Sequence, residues 1–413
     1  MKGLRSVVIV SACRTPIGAF GGSLKDMATP QLAAVVMRGA LQKANVAPSL
    51  VEDVRFGCCF PDISAANVAR IGALLAGIPD TVPAGTENRV CTSGMSCLHG
   101  ATTAIGAGYQ DVVLIGGVEN MSQQPYVLPT VRWGTRLQDG PCIDALTQQL
   151  HAGSHHVPYP LNGKMTALRG KPYIMGMTAE ILAQEHHLSR EEQDAVALRS
   201  HKNAERANAD GTFAAEIVPI TVKQKKKAKE VAHDEHFRKD VTAEELSALP
   251  TAFLPQPKGG TVTAGNASGI GDGASAILLM SRDKAQQLGI RPLATVTGMA
   301  TGGCAPEIMG YSPVAAVSNL LRQRGTTIAD YDLVELHEAF AAQYLACEKA
   351  LGLIRERTNV NGSGIGLAHP VGSSGSRILV TLLHEMVRRR SQRGLAAICG
   401  GGGISLATEL TLD

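Results

Sequence analysis

The sequence lacks the features of a membrane protein or a nucleic-acid-binding protein. No stretch approaches the roughly 18 consecutive apolar residues of a spanning helix, and Arg14 and Pro16 interrupt the apolar run near the start. We therefore expect no signal peptide. Aromatic residues make up only 4% and the net charge is +3, which argues against base-stacking platforms and broad basic surfaces. The C-terminal letters TLD are not a peroxisomal address.

The cysteines and histidines do not follow the spacing of a disulfide framework or a zinc site. The nine cysteines are odd in number and irregularly placed, which favours a reduced, cytoplasmic setting. A group of histidines, at positions 151, 155, 156, 186 and 187, has no cysteine at zinc spacing. We expect no metal site.

Glycine is abundant, and the apolar pattern is that of a layered α/β protein. The 45 glycines among 413 residues predict tight packing or backbone that approaches a ligand closely. Strand-like runs such as RSVVIVSA and DVVLIGGV alternate with helix-like runs such as PQLAAVVMRGALQKA and CLHGATTAIGAG. The same alternation resumes at Leu293 and ends with the pair GSRILVTLLHEMVRRR and LAAICGGG. This repetition predicts two similar halves.

Between the two halves the sequence changes character. From about Met121 to Pro255 it is richer in proline, histidine and charge, and it has few strand-like runs. LSREEQDAVALRSHKNAERANA predicts a surface helix, with Ser189 and Glu192 forming a capping box. We predict an N-terminal half over residues 1–120, continued by 256–290, an inserted loop domain over 121–255, and a C-terminal half over 291–413.

Four segments carry residues suited to catalysis. Cys91 lies among small residues where a strand meets a helix, and a helix start favours the thiolate; a buried structural cysteine fits this stretch equally well. His369 lies in a glycine-rich loop just before a helix and could activate a thiol, although a surface histidine fits as well. His337 follows a buried strand at its C-terminal end, where ligands bind in open α/β sheets. Cys399 precedes four glycines, which suggests a ligand near a strand end.

Taken in order, several motifs along nearly the whole chain resemble the thiolase family. These are SACRTPIGAFGGSL, VCTSGM, GGVENMSQQPYVLP, MGMTAE, GGTVTAGNASGIGDGASA, HEAFAAQ, NGSGIGLAHPVGSSGSRI and CGGGG. The resemblance implies a five-layered αβαβα thiolase fold, built from two related halves with a loop domain. It also implies acyl transfer between coenzyme A thioesters, with coenzyme A and acyl-CoA as substrates and no tightly bound cofactor.

The resemblance assigns roles to five residues at the expected site. By position, Cys91 is the nucleophile that takes the acyl group, and His369 activates it. Cys399 is the acid and base that moves a proton at the substrate carbon. The N–H groups of Cys91 and Gly401 form one oxyanion site. His337 stands in the other, where many members have asparagine, and Ala368 replaces the usual glycine before His369.

The resemblance also predicts the residues that contact coenzyme A. Ser268 matches a residue beside the pantetheine part, and Met175 matches a residue near the acyl group. Ile174 stands where a histidine is common. We expect at least one of Lys225, Lys226 and Lys227 to meet a phosphate of the nucleotide.

The motifs leave several activities open. RWGTRLQDG favours a short-chain, tetrameric enzyme that makes or cleaves acetoacetyl-CoA, whereas HEAF favours a longer-chain 3-ketoacyl-CoA thiolase of fatty-acid oxidation. A ketoacyl synthase would use Cys91, His369 and His337 but has no task for Cys399. A catalytically inactive acyl-CoA-binding protein is the fourth alternative. The assembly is expected to be a homodimer or homotetramer.

Overall fold

The computed structural model describes residues 4–224 and 227–413, and its main sheet runs through both halves of the chain. Along the sheet the strands follow the order β12-β13-β14-β11-β1-β10-β5-β3-β4, with β2 paired to β10. The strands of this sheet are β1 (Val7–Arg14), β2 (Gly18–Ala19), β3 (Asp53–Gly57), β4 (Ala84–Glu87), β5 (Val112–Asn120), β10 (Gly271–Ser281), β11 (Ala294–Gly303), β12 (Leu333–Leu336), β13 (Arg393–Gly400) and β14 (Ile404–Leu412). Two hairpin pairs lie outside it, β6 (Tyr126–Val127) with β7 (Ile143–Asp144) and β8 (Ile220–Gln224) with β9 (Lys227–Val231).

The two halves of the sheet have the same pairing pattern, as the repeated sequence pattern predicts. In the first half β3 is parallel to β5, and β5, β10 and β1 then pair antiparallel. In the second half β12 is parallel to β13, and β13, β14 and β11 again pair antiparallel. The halves join where β1 meets β11 through the pairs Val8–Thr295 and Ile9–Ala294.

The helices cover and separate the two halves. They are α1 (Thr29–Ala44), α2 (Val68–Leu75), α3 (Ser93–Ala107), α4 (Ala145–Gln149), α5 (Met175–Glu185), α6 (Arg190–Ala209), α7 (Ala243–Ser247), α8 (Arg282–Gln287), α9 (Ser312–Arg324), α10 (Ala341–Leu351), α11 (Gly364–Leu367) and α12 (Val371–Arg389). One apolar core lies between the first half and α1 with α2, a second surrounds α3 and α12 between the halves, and a third lies under α9 and α10. This gives five layers.

Strand β1 shows why the central strands appear as unbroken apolar runs in the sequence. Val8 and Val10 belong to the outer core beside α1, whereas Val7 and Ile9 belong to the core between the halves. Successive side chains of a strand point to opposite faces, so a strand covered on both faces needs apolar residues at every position.

Strand β5 contains two glycines, Gly116 and Gly117. Gly116 and Gly117 lie inside the strand rather than after it, because β5 continues to Asn120. A Cβ on Gly117 would lie 2.1 Å from the carbonyl oxygen of Gly372. These glycines therefore let the start of α12 pack directly on the strand.

The inserted region contains α4 to α7 and both hairpins. The capping box predicted for α6 is present, with Ser189 Oγ accepting from the N–H of Glu192 and the Glu192 carboxylate accepting from the N–H of Ser189. Within the described ranges, no helix is both long and apolar enough to cross a lipid bilayer.

Candidate active site

Cys91 follows a turn whose backbone is strained. Val90, immediately before it, has φ +50°, a value that β-branched residues rarely adopt. The carbonyl oxygen of Val90 accepts hydrogen bonds from Ser93 Oγ at 2.6 Å and from Cys59 Sγ at 3.0 Å. Ser93 Oγ also accepts from the N–H of Arg89 at 2.8 Å. These bonds hold the turn that places Cys91 just before α3.

The Cys91 thiol lies in a buried position where two N–H groups approach it. Burial raises its pKa to about 11, although the N–H groups of Gly401 and of Cys91 itself act in the opposite direction. The helix start alone therefore does not produce a thiolate, contrary to the expectation from its sequence position. The structure does bring together Cys91 and Gly401, the two N–H donors that the resemblance named.

The glycines after Cys399 form a tight turn between β13 and β14. Gly402 and Gly403 have φ values of +84° and +86°, which favour glycine. A Cβ on Gly401 would lie 2.7 Å from Ala152 Cβ and 3.2 Å from Val90 Cγ1. A side chain at Gly401 would therefore displace the turn that carries Cys91.

Cys399 lies near the Cys91 thiol. It is the penultimate residue of β13 and is fully buried. Burial raises its pKa well above the ordinary value, and the nearby Cys91 thiol raises it further. Cys399 is therefore a neutral thiol that can give up a proton to a strong base.

The ring of His369 is fixed through its Nδ1 atom. Nδ1 lies 2.6 Å from Ser374 Oγ, and the Ser374 hydroxyl donates its one proton to the carbonyl oxygen of Pro370 at 3.0 Å. Nδ1 therefore carries the hydrogen, which leaves the lone pair on Nε2. Nε2 is buried and has no protein partner among the described residues. Burial lowers the pKa of His369 to about 3, assisted by the charge of Arg377.

His337 lies against His369, with ring centroids 4.2 Å apart. It is fully buried, and within the described part of the chain neither ring nitrogen has a hydrogen-bond partner. Burial lowers its pKa well below the ordinary value, as do the neighbouring His369 and Arg377. A Cβ on Gly364 would lie 2.7 Å from His337 Cε1, so the ring packs directly on backbone. The ring is neutral and keeps one N–H available.

The close approach of α3 and α12 brings the Cys91 and His369 segments together. A Cβ on Gly375 would lie 2.6 Å from the backbone nitrogen of Met95, and one on Gly94 would lie 2.7 Å from that of Ser376. Cys91 lies two residues before α3, and His369 lies two residues before α12. Their neighbourhood in space therefore follows from contact between the first turns of these helices.

A cavity of about 330 Å³ adjoins the glycine turn. Its walls are mostly apolar and include Ala152, Met175, Thr178, Met309 and Gly402. Met175 Sδ lies 3.5 Å from the point where a Cβ of Gly401 would be. Met175 therefore lies beside the turn that follows Cys399, and its contact with an acyl group stays a prediction.

The residues expected to contact coenzyme A are only partly described. Ser268 is half-buried, and its N–H donates to the carbonyl oxygen of Ala339 at 2.9 Å. Ala339 lies close in sequence to His337. Lys225 and Lys226 lie outside the described residues. Lys227 begins β9, and its contact with a phosphate stays a prediction.

Sequence reasoning missed the residues that fix the catalytic groups in place. These are Ser374, Ser93, Cys59 and Glu119, and the last accepts the N–H groups of Cys59, Phe60 and Gly372. Ser374 lies five residues after His369, inside the first turn of α12. The spacing of five residues between His369 and Ser374 was the one signal in the sequence that could have indicated this hydrogen bond.

Comparison with known proteins gives matches over nearly the full chain. Residues 7–283 match the family described as thiolase, N-terminal domain, and residues 290–411 match thiolase, C-terminal domain. An acetyl-CoA acetyltransferase of Syntrophomonas wolfei is 45% identical over 405 residues, which cover 98% of each chain.

Two solved structures are also closely similar. The crystal structure of the Bacillus anthracis acetyl-CoA acetyltransferase has a TM-score of 0.93 and 44% identity, with complete coverage of both chains. Human mitochondrial 3-ketoacyl-CoA thiolase in complex with CoA has a TM-score of 0.91 and 41% identity, covering 99% of this chain and 98% of the other. These similarities confirm the fold class predicted from the motifs.

Proposed function

Because this chain belongs to the thiolase family, we propose that it transfers acyl groups between coenzyme A thioesters through an acyl–Cys91 intermediate. The observation that carries the proposal is the convergence of the N–H groups of Cys91 and Gly401 on the Cys91 thiol. Paired N–H donors at a nucleophile can hold the negative oxygen of a tetrahedral intermediate. Cys399 lies beside the same thiol.

The first half of thiolysis uses all four reactive side chains. His369 Nε2 accepts the Cys91 proton, and the sulfur attacks the keto carbon of a 3-ketoacyl-CoA. The N–H groups of Cys91 and Gly401 hold the resulting oxyanion. Its collapse breaks the carbon–carbon bond, and the departing carbon takes the proton of Cys399 to give acetyl-CoA. The neutral His337 donates its N–H to the thioester oxygen while that fragment carries the negative charge.

The second half regenerates the enzyme. The thiol of free coenzyme A gives its proton to the Cys399 thiolate and attacks the acyl–Cys91 carbonyl. The Cys91 sulfur leaves and recovers the proton held by His369. The raised pKa of Cys399 suits this cycle, since the residue begins as an acid and returns as one.

We propose acetoacetyl-CoA formation and cleavage as the reaction. The relatives named acetyl-CoA acetyltransferase, at 45% and 44% identity over essentially the whole chain, support this short-chain substrate. A longer-chain 3-ketoacyl-CoA is the second candidate. It is favoured by the 41% identity to human mitochondrial 3-ketoacyl-CoA thiolase over 99% of this chain. A ketoacyl synthase would leave Cys399 unused at the centre of the site.

A chain-length series separates the two substrate candidates. Thiolysis by free coenzyme A is measured with acetoacetyl-CoA and 3-ketohexadecanoyl-CoA under the same conditions. The short-chain proposal requires a higher kcat/KM for acetoacetyl-CoA. Cleavage of the long substrate alone would overturn it.

Cys399→Ala tests the division of labour between the two cysteines. We expect the variant to take up a labelled acetyl group from acetyl-CoA on Cys91 but to lose condensation by at least about 10³-fold, since the proton has no acceptor. Cys13→Ala is the control, because Cys13 is also buried but lies on the outer face of β1 beside α1. Undiminished condensation by Cys399→Ala would refute the role of Cys399.

The remaining features of the proposal concern the assembly and the loop domain. We propose a cytoplasmic homodimer or homotetramer in which residues 121–255 bind coenzyme A, with contacts from Ser268 and from the Lys225–Lys227 run. The solved complex of the human relative with CoA supports binding of this substrate. Sedimentation equilibrium distinguishes the two assemblies.

A further inference from the structure

Glu119 is a buried carboxylate that the proposed reaction does not use. It is the penultimate residue of β5 and has no exposed surface. An isolated buried carboxylate costs several kcal/mol unless hydrogen bonds replace its water. The hydrogen-bond donors to the Glu119 carboxylate therefore indicate its role in the fold.

Four donors converge on this carboxylate. Oε2 accepts the N–H groups of Cys59 at 3.0 Å and Gly372 at 2.9 Å. Oε1 accepts the N–H of Phe60 at 3.0 Å and the thiol of Cys58 at 3.3 Å. Three of the four donors are backbone N–H groups, which cannot accept a carboxyl proton. Burial raises the pKa of Glu119, but the N–H groups of Cys59, Gly372 and Phe60 act in the opposite direction and favour the ionised form.

These donors belong to the segments that carry the two principal catalytic groups. Gly372 is the second residue of α12 and lies three residues after His369. Cys59 donates its thiol to the carbonyl oxygen of Val90 at 3.0 Å, immediately before Cys91. Glu119 thus ties the His369 segment to the Cys91 segment through one side chain.

The charge of Glu119 also acts on Cys91 directly. Its negative charge raises the pKa of the Cys91 thiol, after the larger effect of burial. The titratable groups that face Glu119 are the thiols of Cys58 and Cys59 after β3 and of Cys91 before α3, while α12 presents the N–H of Gly372. Among the described groups around it, therefore, the carboxylate meets thiols and backbone donors.

We propose that Glu119 is a positioning residue that holds His369 in register with Cys91, and that its negative charge adds to the burial that keeps Cys91 a thiol until His369 takes its proton. The proposal rests on the proposed function, in which a proton passes between these two residues. A thiol that ionises only in concert with His369 is protected from adventitious electrophiles, because the thiolate is the reactive form.

The test uses Glu119→Gln in the full chain and two readouts. The amide offers one oxygen where four donors converge, so α12 must shift, and we expect kcat for acetoacetyl-CoA thiolysis to fall by about 10- to 100-fold. Removal of the negative charge is expected to make the Cys91 thiol easier to ionise, since that charge raises its pKa. The apparent pKa of its alkylation by iodoacetamide, followed by peptide mass spectrometry, is expected to move to lower pH than in the wild type.

Glu180→Gln is the matched control. Glu180 is also buried and accepts the N–H groups of Thr261 and Val262, but it lies on α5 and does not face the Cys91 thiol. It is expected to lower the melting temperature without moving the alkylation profile of Cys91. If Glu119→Gln behaves in the same way, its role is structural only and the proposal is overturned; an unchanged kcat also overturns it.

Glu119→Asp keeps the charge but shortens the reach by one methylene. We expect kcat to fall by at least about tenfold while the alkylation profile stays at the wild-type pH. If the glutamine variant does not fold, Glu119→Asp serves as the test. A kcat of Glu119→Asp within twofold of wild type overturns the positioning role. Alkylation of Cys91 needs no acyl-CoA. If acetoacetyl-CoA is not the substrate, the alkylation profile therefore still tests this inference.

Discussion

At the residue scale, Ala368 holds a backbone conformation that has a structural cost. Its φ of +69° and ψ of 177° fall in a region that is essentially reserved for glycine. A non-glycine residue there costs about 1–3 kcal/mol. The conformation is nevertheless kept, because the N–H of the next residue, His369, donates to the carbonyl oxygen of Gly269 at 2.8 Å. The alanine therefore leaves His369 in place.

We expect Ala368→Gly to be tolerated. Relief of about 1–3 kcal/mol of strain is offset by about 0.8 kcal/mol for the buried methyl group and about 0.4–1 kcal/mol of unfolded-state entropy. The free energy of unfolding should change by less than about 2 kcal/mol, and kcat should stay within about twofold. Chemical denaturation and thiolysis kinetics measure both.

Ala368→Val is the opposing variant at the same position. A β-branched side chain at this φ adds strain, and Ala368 Cβ already lies 2.8 Å from where a Cβ of Gly271 would be. We expect a loss of at least about 2 kcal/mol of stability. If the valine is tolerated and the glycine is not, the strain argument is wrong.

The sequence indicates the candidate catalytic residues but not the groups that orient them. His369 and Cys399 could be named because glycines surround them, Cys91 because small residues surround it where a strand meets a helix, and His337 because it follows a buried strand. Glu119 and Ser374 could not, because their partners are backbone groups and ring atoms that only the folded chain brings near. The raised pKa of Cys91 was missed for the same reason, since burial depends on all the layers around it.

At the scale of elements, the contact between α3 and α12 determines the geometry of the site. Their first turns touch through Gly94, Gly372 and Gly375. Backbones that meet this closely leave no space for a Cβ. The spacing between the Cys91 and His369 segments is therefore set by glycine in both helices.

We expect Gly375→Ala to lower both stability and activity. The new Cβ would lie 2.6 Å from the backbone nitrogen of Met95, so the helices must separate. The cost is expected to be about 1–3 kcal/mol of unfolding free energy, with kcat reduced at least about tenfold through misplacement of His369. Thermal unfolding and steady-state kinetics measure the two effects.

Gly106→Ala is the matched control in the same helix pair. Gly106 lies in α3, the helix against which Gly375 packs, but the nearest atom to its Cβ would be 3.7 Å away. Alanine is expected to stabilise this helix by up to about 1 kcal/mol without affecting kcat. Equal behaviour of the two variants would contradict the packing argument.

Periodicity predicted several helices and strands but missed two strands inside the sheet. The predicted runs correspond to β1, β5, β13, α1, α3, α6 and α12. Strand β10 was missed because its first half, GDGAS, has no apolar residue larger than alanine, although the strand pairs along its whole length with β5. Strand β14 was missed because ISLATELTL follows the glycine turn and carries a buried glutamate, Glu409.

At the scale of the whole molecule, a buried charge cluster joins the first half to the inserted region. Arg14, the last residue of β1, forms ion pairs with Glu216 and Asp234, and all three are buried. Arg14 also lies over the ring of Phe213, 4.6 Å from its centroid. Thr381 of α12 donates to Glu216 at 3.2 Å, so the cluster reaches the central layer as well.

We expect Arg14→Met to destabilise the protein by about 3–5 kcal/mol, because two buried carboxylates lose their cation. Urea denaturation measures the loss. The double variant Arg14→Met with Asp234→Asn should recover part of it, since one unpaired charge is then removed. A single variant as stable as the wild type would show that the cluster does not hold the inserted region.

The position of β1 in the sheet has a consequence for the order in which the protein can be made. β1 ends at Arg14, yet its two neighbours are β10, which ends at Ser281, and β11, which begins at Ala294. A ribosome adds about 5–20 residues per second, so roughly 15–50 s separate the synthesis of β1 from that of its partner β10. During that time β1 is an apolar segment of the nascent chain with both edges unpaired. We therefore expect the nascent protein to bind chaperones that cover such strands.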